Sequence, residues 1–151
     1  MSESRSDTAS GNSAPPEDSA PSGDSAPSGD KSDRPFDIVL YGATGFTGGL
    51  VADYLLRNMP EGGSWAVAGR NRTKLEALVA RLAAEQPEVP APGIVVADTD
   101  DPATLAELAR SARVVITTVG PYLEHGEPLV AACAEAGTDY VDPTGEPEFV
   151  D

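Results

Sequence analysis

The chain has 151 residues, with 25 acidic and 10 basic side chains and a formal net charge of −15. Nucleic acid and anionic lipid both demand basic surface, so this balance excludes them as partners of the whole chain. A single cysteine, Cys133, rules out an intrachain disulfide and a four-thiolate zinc site.

No apolar run approaches the ~20 residues that span a bilayer. The N-terminus has no apolar stretch behind its first charges, so no secretory signal is expected. The expectation is a soluble, cytoplasmic protein with one folded domain.

Residues 1–35 hold ten Ser, five Pro and three Gly, and no Val, Ile, Leu, Phe, Tyr, Trp or Cys. Such a segment cannot offset the backbone entropy that ordering costs. Asp-Ser-Ala-Pro-Ser-Gly stands at 18–23 and again at 24–29. A polar unit with two copies marks a low-complexity tail, not a solenoid. The expected domain therefore runs from 36 to 151. It keeps 7 basic against 18 acidic side chains, so it is itself acidic.

Within it, Phe36–Tyr41 reads as a strand buried on both faces. A helix over about 46–58 follows, with Leu50, Val51, Tyr54 and Leu55 expected inward. Pro60-Glu-Gly-Gly63 turns the chain into a second strand, Trp65–Ala68. Asn71 is the expected N-cap of a helix over about 72–85 that buries Leu75, Leu78, Val79 and Leu82. Gly93–Ala97 is a third strand. Asp101 and Pro102 cap and open a helix that buries Leu105, Leu108, Ala109 and Ala112. Arg113–Thr118 is a fourth strand. A helix over about 127–136 turns Leu129, Ala132, Cys133 and Ala136 inward, and Thr138–Val141 is a fifth strand. This βαβαβαβαβ alternation predicts an α/β, Rossmann-like parallel sheet with strand order 3-2-1-4-5.

The first strand runs into Gly42-Ala43-Thr44-Gly45-Phe46-Thr47-Gly48, a G-x-x-G-x-x-G variant of the dinucleotide fingerprint. Gly42 would permit the tight turn, and Gly45 would let the backbone approach a pyrophosphate. Gly48 would let the helix pack closely. The amides opening that helix would face the diphosphate. At the end of the second strand, an NAD binder usually carries an acidic residue for the ribose 2′-hydroxyl. Here stand Gly69, Arg70, Asn71, Arg72 and, one residue on, Lys74. Arg70 can clamp a 2′-phosphate bidentately, which points to NADP. Arg72 divides between that role and a solvated helix position, and Lys74 reads as solvated.

Asp98 is either a contact at the adenine edge or a turn carboxylate of the Asp98-Thr-Asp-Asp101 cluster. Thr118, Val119 and Gly120 end the fourth strand beside the switch point. They would meet the ribose and nicotinamide, with a plain strand-to-helix turn as the alternative. His125, the only histidine, reads as a surface or loop residue, and Cys133 reads as core. No tyrosine has a lysine four residues later, so the Tyr–Lys pair of short-chain dehydrogenases is absent and no other acid–base pair is legible.

Four motifs then stand in order. They are Asp37–Gly48, Ala68-Gly-Arg70, Val119-Gly-Pro-Tyr122 and Tyr140-Val-Asp-Pro-Thr-Gly-Glu146. Together they resemble the saccharopine dehydrogenase-like oxidoreductases, in particular the trans-acting enoyl reductase branch. The resemblance implies an NADP-binding Rossmann domain with Gly42, Gly45, Gly48 and Arg70 at the cofactor. It places Asp142, Thr144, Gly145 and Glu146 near the nicotinamide. It also implies a longer protein with a substrate domain, of which this chain is the N-terminal part.

The expected function is therefore hydride transfer from NADPH to an enoyl or imine bond of a small-molecule or acyl-type substrate. No metal is expected, and homo-oligomerisation stays open. The alternative is a non-catalytic, NmrA-like module that senses NADP.

Overall fold

A strand whose consecutive side chains are all apolar has no face to offer water, so it must lie inside a sheet covered on both sides. The first strand, β1 (Phe36–Tyr41), obeys this in its apolar run after Asp37: Val39 and Leu40 point to opposite faces and both are fully buried. In the computed structural model, which describes residues 30–150, β1 is the central strand. It pairs in parallel with β2 (Trp65–Gly69) from Ile38↔Trp65 to Tyr41↔Ala68. On its other side it pairs in parallel with β4 (Ala112–Thr117), from Phe36↔Ala112 to Tyr41↔Thr117. Strands β3 (Gly93–Val96) and β5 (Asp139–Val141) form the two edges. The order is β3-β2-β1-β4-β5, the predicted one.

The crossovers divide the helices between two cores. Helices α1 (Phe46–Asn58) and α2 (Arg72–Glu85) close one core around Leu40, Leu55, Trp65, Val67, Leu75 and Leu82. Helices α3 (Pro102–Ser111) and α4 (Tyr122–Ala136) close the other around Val39, Leu105, Leu108, Val115, Leu129 and Cys133. A short α5 (Pro147–Val150) follows, and its Phe149 ring lies 5.8 Å from that of Tyr122. Asn71 and Asp101 cap α2 and α3 as their sequence positions predict, accepting from the amides of Lys74 and Ala103.

Three expectations are corrected. In α1 the buried residues are Gly48, Ala52, Leu55 and Leu56, whereas Leu50 and Tyr54 are 56% and 64% exposed. The cause is Gly48. A Cβ on it would lie 2.0 Å from the Gly42 carbonyl oxygen, so this point of α1 is pressed against the turn. Positions four and seven residues further on then face inward, and 50 and 54 face out.

Helix α4 starts at Tyr122, about five residues before the predicted start. Gly126 and Pro128 both lie inside it. Pro128 forfeits one helical hydrogen bond. The first turn is instead secured from outside, where the Glu146 carboxylate accepts from the amides of Tyr122 and Leu123, each at 2.9 Å.

Finally, packed structure begins upstream of Phe36. Lys31–Asp33 form a 3-10 turn. Arg34 donates to the carbonyls of Ala109 and Ala112 at 3.1 and 2.6 Å, to the Ala136 carbonyl, and to Thr138 Oγ1. The remainder of the predicted tail, 1–29, lies outside the described residues.

Candidate functional site

A parallel sheet sends the carboxyl ends of all its strands to one edge, and ligands bind there, where the order reverses between β1 and β4. A cleft of about 340 Å³ occupies that place. Its floor is the glycine turn, with Gly42, Thr44 and Gly45 lining it. Gly42 has φ of +88°, a conformation that side chains rarely adopt. A Cβ there would also meet Thr118 Oγ1 and Val119 Cγ2 at 2.8 Å. Thr118 ties the end of β4 to this turn, its amide donating to the Tyr41 carbonyl at 3.0 Å.

Gly45 is different. Its φ is −82°, and the only protein atom near a Cβ would be the Gly42 carbonyl oxygen at 3.6 Å. The protein leaves open the space a side chain would fill, and that space borders the cleft. Gly45 is also the N-cap of α1 and supplies no side-chain cap. The first helical bond runs from the Gly49 amide to the Gly45 carbonyl, so the amides of Phe46, Thr47 and Gly48 lie ahead of the ladder. No acidic residue stands in that first turn to neutralise the dipole. Uncapped amides, a positive helix end and a vacant Cβ position together fit a diphosphate.

Arg70 lines the cleft at the end of β2, on the opposite flank from Gly120. It is exposed and pairs with no carboxylate among the described residues. Tyr41, the last residue of β1, lines the cleft too. Its hydroxyl donates to the Ala97 carbonyl at 3.4 Å. Burial, then the nearby Asp98 carboxylate, push that hydroxyl above its ordinary range, so it stays protonated at neutral pH.

Seven of the predicted site residues thus meet around one cleft: Gly42, Thr44, Gly45, Arg70, Thr118, Val119 and Gly120. Others are placed elsewhere. Ala43 is fully buried beneath the turn, and Gly48 is the packing contact just described. Phe46 is 85% exposed, and Thr47 is exposed beside it. Asn71 spends its side-chain oxygen on the Lys74 amide at 3.0 Å. Arg72 approaches Glu76 at 3.7 Å along α2. Asp98 folds back to accept from the Asp100 amide at 2.9 Å, as a turn carboxylate does.

Residues that sequence reasoning did not assign to the site also line the cleft: Tyr41, Gly69, Thr99, Asp100 and His125. Thr99 and Asp100 follow Asp98, so the correct turn was visible but not which residues of it face inward. The Asp142–Glu146 loop is held by its own side chains. The Thr144 amide donates to Asp142 at 2.9 Å, and the Glu146 amide donates to Thr144 at 3.1 Å. From there Glu146 reaches the start of α4. Among the described residues there is no metal-holding cluster of His, Cys, Asp or Glu, and no helix is long and apolar enough to cross a membrane.

The chain matches the family model described as the saccharopine dehydrogenase NADP binding domain over residues 38–149. A relative from Mycobacterium tuberculosis (strain H37Rv) that carries the trans-acting enoyl reductase name is 52% identical over 117 residues. A trans-acting enoyl reductase of Mycobacterium ulcerans is 49% identical over 118 residues. Each alignment covers 78% of this chain and 27% of the relative, so the chain spans about a quarter of the length of these proteins. Among solved structures, apo saccharopine dehydrogenase (L-Glu forming) from Saccharomyces cerevisiae superposes with a TM-score of 0.60 at 21% identity. It covers 76% of this chain and 23% of that one, and the likeness is one of fold. A triphenylmethane reductase of Citrobacter sp. superposes with a TM-score of 0.55 at 25% identity, covering 68% of this chain and 34% of that one.

Proposed function

The chain belongs to the saccharopine dehydrogenase NADP-binding-domain family, and from that premise we propose that it forms the cofactor-holding part of an NADPH-dependent reductase acting on an enoyl C=C bond. The enoyl assignment is supported by two relatives at about half identity that carry the trans-acting enoyl reductase name. The observation that carries the cofactor assignment is the joint geometry of α1 and Arg70. An uncapped helix N-terminus stands over a vacant Cβ position, and a guanidinium that pairs with no carboxylate among the described residues lines the same cleft at the end of β2.

Bound NADPH would supply a hydride, which with one proton saturates the double bond and leaves NADP⁺. The chain's own contribution is binding and orientation. The α1 amides hold the diphosphate, and Arg70 grips the 2′-phosphate through two parallel N–H donors. Tyr41 lines the cleft as a neutral phenol. Gly120, at the end of β4, leaves the backbone bare where the nicotinamide half would lie. The substrate surface and the proton donor are assigned to the additional length that the relatives possess.

The test is a fluorescence titration of NADPH and NADH against the wild type and Arg70→Ala. NADPH affinity should fall about ten- to a hundredfold, and NADH affinity no more than about threefold. Equal losses for the two cofactors would remove the 2′-phosphate assignment. For the reaction, NADPH consumption by a relative-length polypeptide with an enoyl thioester is expected. Tight binding with no turnover of any enoyl or imine substrate would favour an NADP-sensing module instead.

A further inference from the structure

Two helix N-termini border the cleft, and they differ in one respect that decides what each can hold. The N-terminus of α1 has no side-chain cap. That of α4 is already occupied, because both Glu146 carboxylate oxygens accept from its first two amides at 2.9 Å. A second anion cannot use those amides, and the Glu146 charge repels one. Any favourable contact from the α4 side must come from a side chain further along the turn. His125 is one turn in, its amide donating to the Pro121 carbonyl at 3.1 Å, and it lines the cleft together with Gly42 and Gly45.

We propose that His125 is a cofactor-contacting residue, whose imidazole donates from the α4 wall to a phosphate oxygen of the dinucleotide's diphosphate. The proposal rests on the NADP assignment above and adds a second wall to it. Glu146 is then a positioning residue: it fixes the first turn of α4 and thereby the place of the ring. Phe149 supports the same turn. A Cβ on Gly126 would lie 2.7 Å from the Phe149 ring, so that ring sits directly on the helix.

Among the described residues, the titratable groups around the imidazole include Tyr41, whose phenol lines the same cleft. Glu124 on the same helix has Oε2 at 3.8 Å from Nε2. Glu146 lies behind the first turn. Arg70 and Asp100 stand on the other walls, and the glycine turn contributes no charged side chain. Protonation gives the ring a second donor and a positive charge next to the phosphates. Contact of a protonated ring with the diphosphate should therefore be stronger than that of a neutral one.

The experiment is NADPH binding to the full chain, followed by fluorescence between about pH 5.5 and 8.5. It compares wild type, His125→Gln and His125→Phe. The quantity read is the ratio of wild-type to variant affinity at each pH, in which the titration of the ligand's own 2′-phosphate cancels. The ratio should be about fivefold at the acid end and no more than about twofold at the alkaline end, the contact being discounted for partial exposure. The phenylalanine variant preserves an aromatic ring on the wall, so a packing role alone would leave its ratio at unity. A ratio that stays flat with pH in both variants overturns the proposal. Failure of the cofactor assignment looks different: Arg70→Ala would then leave NADPH affinity unchanged, whatever His125 does.

Discussion

Gly45 is a glycine that the folded protein does not itself require. Its backbone angles suit any residue, and a methyl group there would touch nothing closer than 3.6 Å. Gly48, three residues on, is the reverse case, with a carbonyl oxygen at 2.0 Å from the place of its absent Cβ. The same motif therefore splits under mutation. Gly45→Ala should leave thermal stability within about 0.5 kcal/mol of wild type yet weaken NADPH about tenfold or more. Gly48→Ala should cost at least ~2–3 kcal/mol, because backbone must shift. Parallel thermal melts and NADPH titrations check both, and a stability loss in Gly45→Ala equal to that of Gly48→Ala would contradict the division. The tight turn at Gly42 and the close packing at Gly48 were legible because their spacing is local and follows a strand. The place of Arg70 at the cleft was legible because three basic residues crowd the end of the second strand in an otherwise acidic domain. Asn71 was legible as a cap, and its side-chain oxygen accepts from the Lys74 amide. Cys133 was legible as core, and burial pushes its thiol up to about 11. His125 was not legible as a cleft residue. Its place depends on where α4 begins, and a loop residue more than twenty positions away sets that.

Helix and strand ends show the same limit at the next scale. Core-facing positions of α2 and β1, and Leu105, Leu108 and Ala109 of α3, follow from periodicity alone, whereas Ala112, expected on the buried face of α3, opens β4 instead. The periodicity of α1 misleads, because Leu50 and Tyr54 extend an apolar stripe that a buried glycine rotates outward. Periodicity cannot weigh a residue that has no side chain. At the amino ends of the strands, Asp37 joins β1 to the residue before β2. Its carboxylate accepts from the Ser64 amide at 3.0 Å, and Arg113 of β4 lies 3.3 Å away. The Ser64 hydrogen bond is the largest influence holding this carboxyl below its usual range, with Arg113 assisting against a desolvation penalty. A folded value below the unfolded one means that the unfolded chain takes up the proton first as pH falls. The contribution is then complete above about pH 4 and is lost as pH drops through the folded value. Asp37→Asn should lower the melting temperature near neutral pH, by less than ~1 kcal/mol in stability for so exposed a group. The gap between variant and wild type should close as pH falls below about 4. A gap that widens with acid would reverse the assignment.

At the scale of the molecule, five parallel strands give the sheet two chemically unlike edges. All the carboxyl ends, and with them the cofactor cleft, share one edge. The other holds the starts of the strands and the ends of the helices, where carbonyls lack helical partners. Strand order was legible, because alternating elements and crossover handedness leave few topologies. The anchoring of that second edge was not, since Arg34 sits in a segment whose composition otherwise reads as tail. One guanidinium there gathers the carbonyls of Ala109, Ala112 and Ala136. Arg34→Ala should destabilise the domain by roughly 2–3 kcal/mol, the scale of charge-assisted hydrogen bonds left unmade, as read from denaturant melts. A chain started at Phe36 should lose as much relative to one started at Asp30. The separation of Arg34 from Arg70 across the sheet also has a thermodynamic meaning. Sites with no shared partner combine additively, within about 0.5 kcal/mol. In the double variant, the melting deficit should be that of the Arg34 change and the NADPH deficit that of the Arg70 change. Robustness and ligand selectivity are then two separate dials, one on each rim, and either can drift or be engineered without retuning the other.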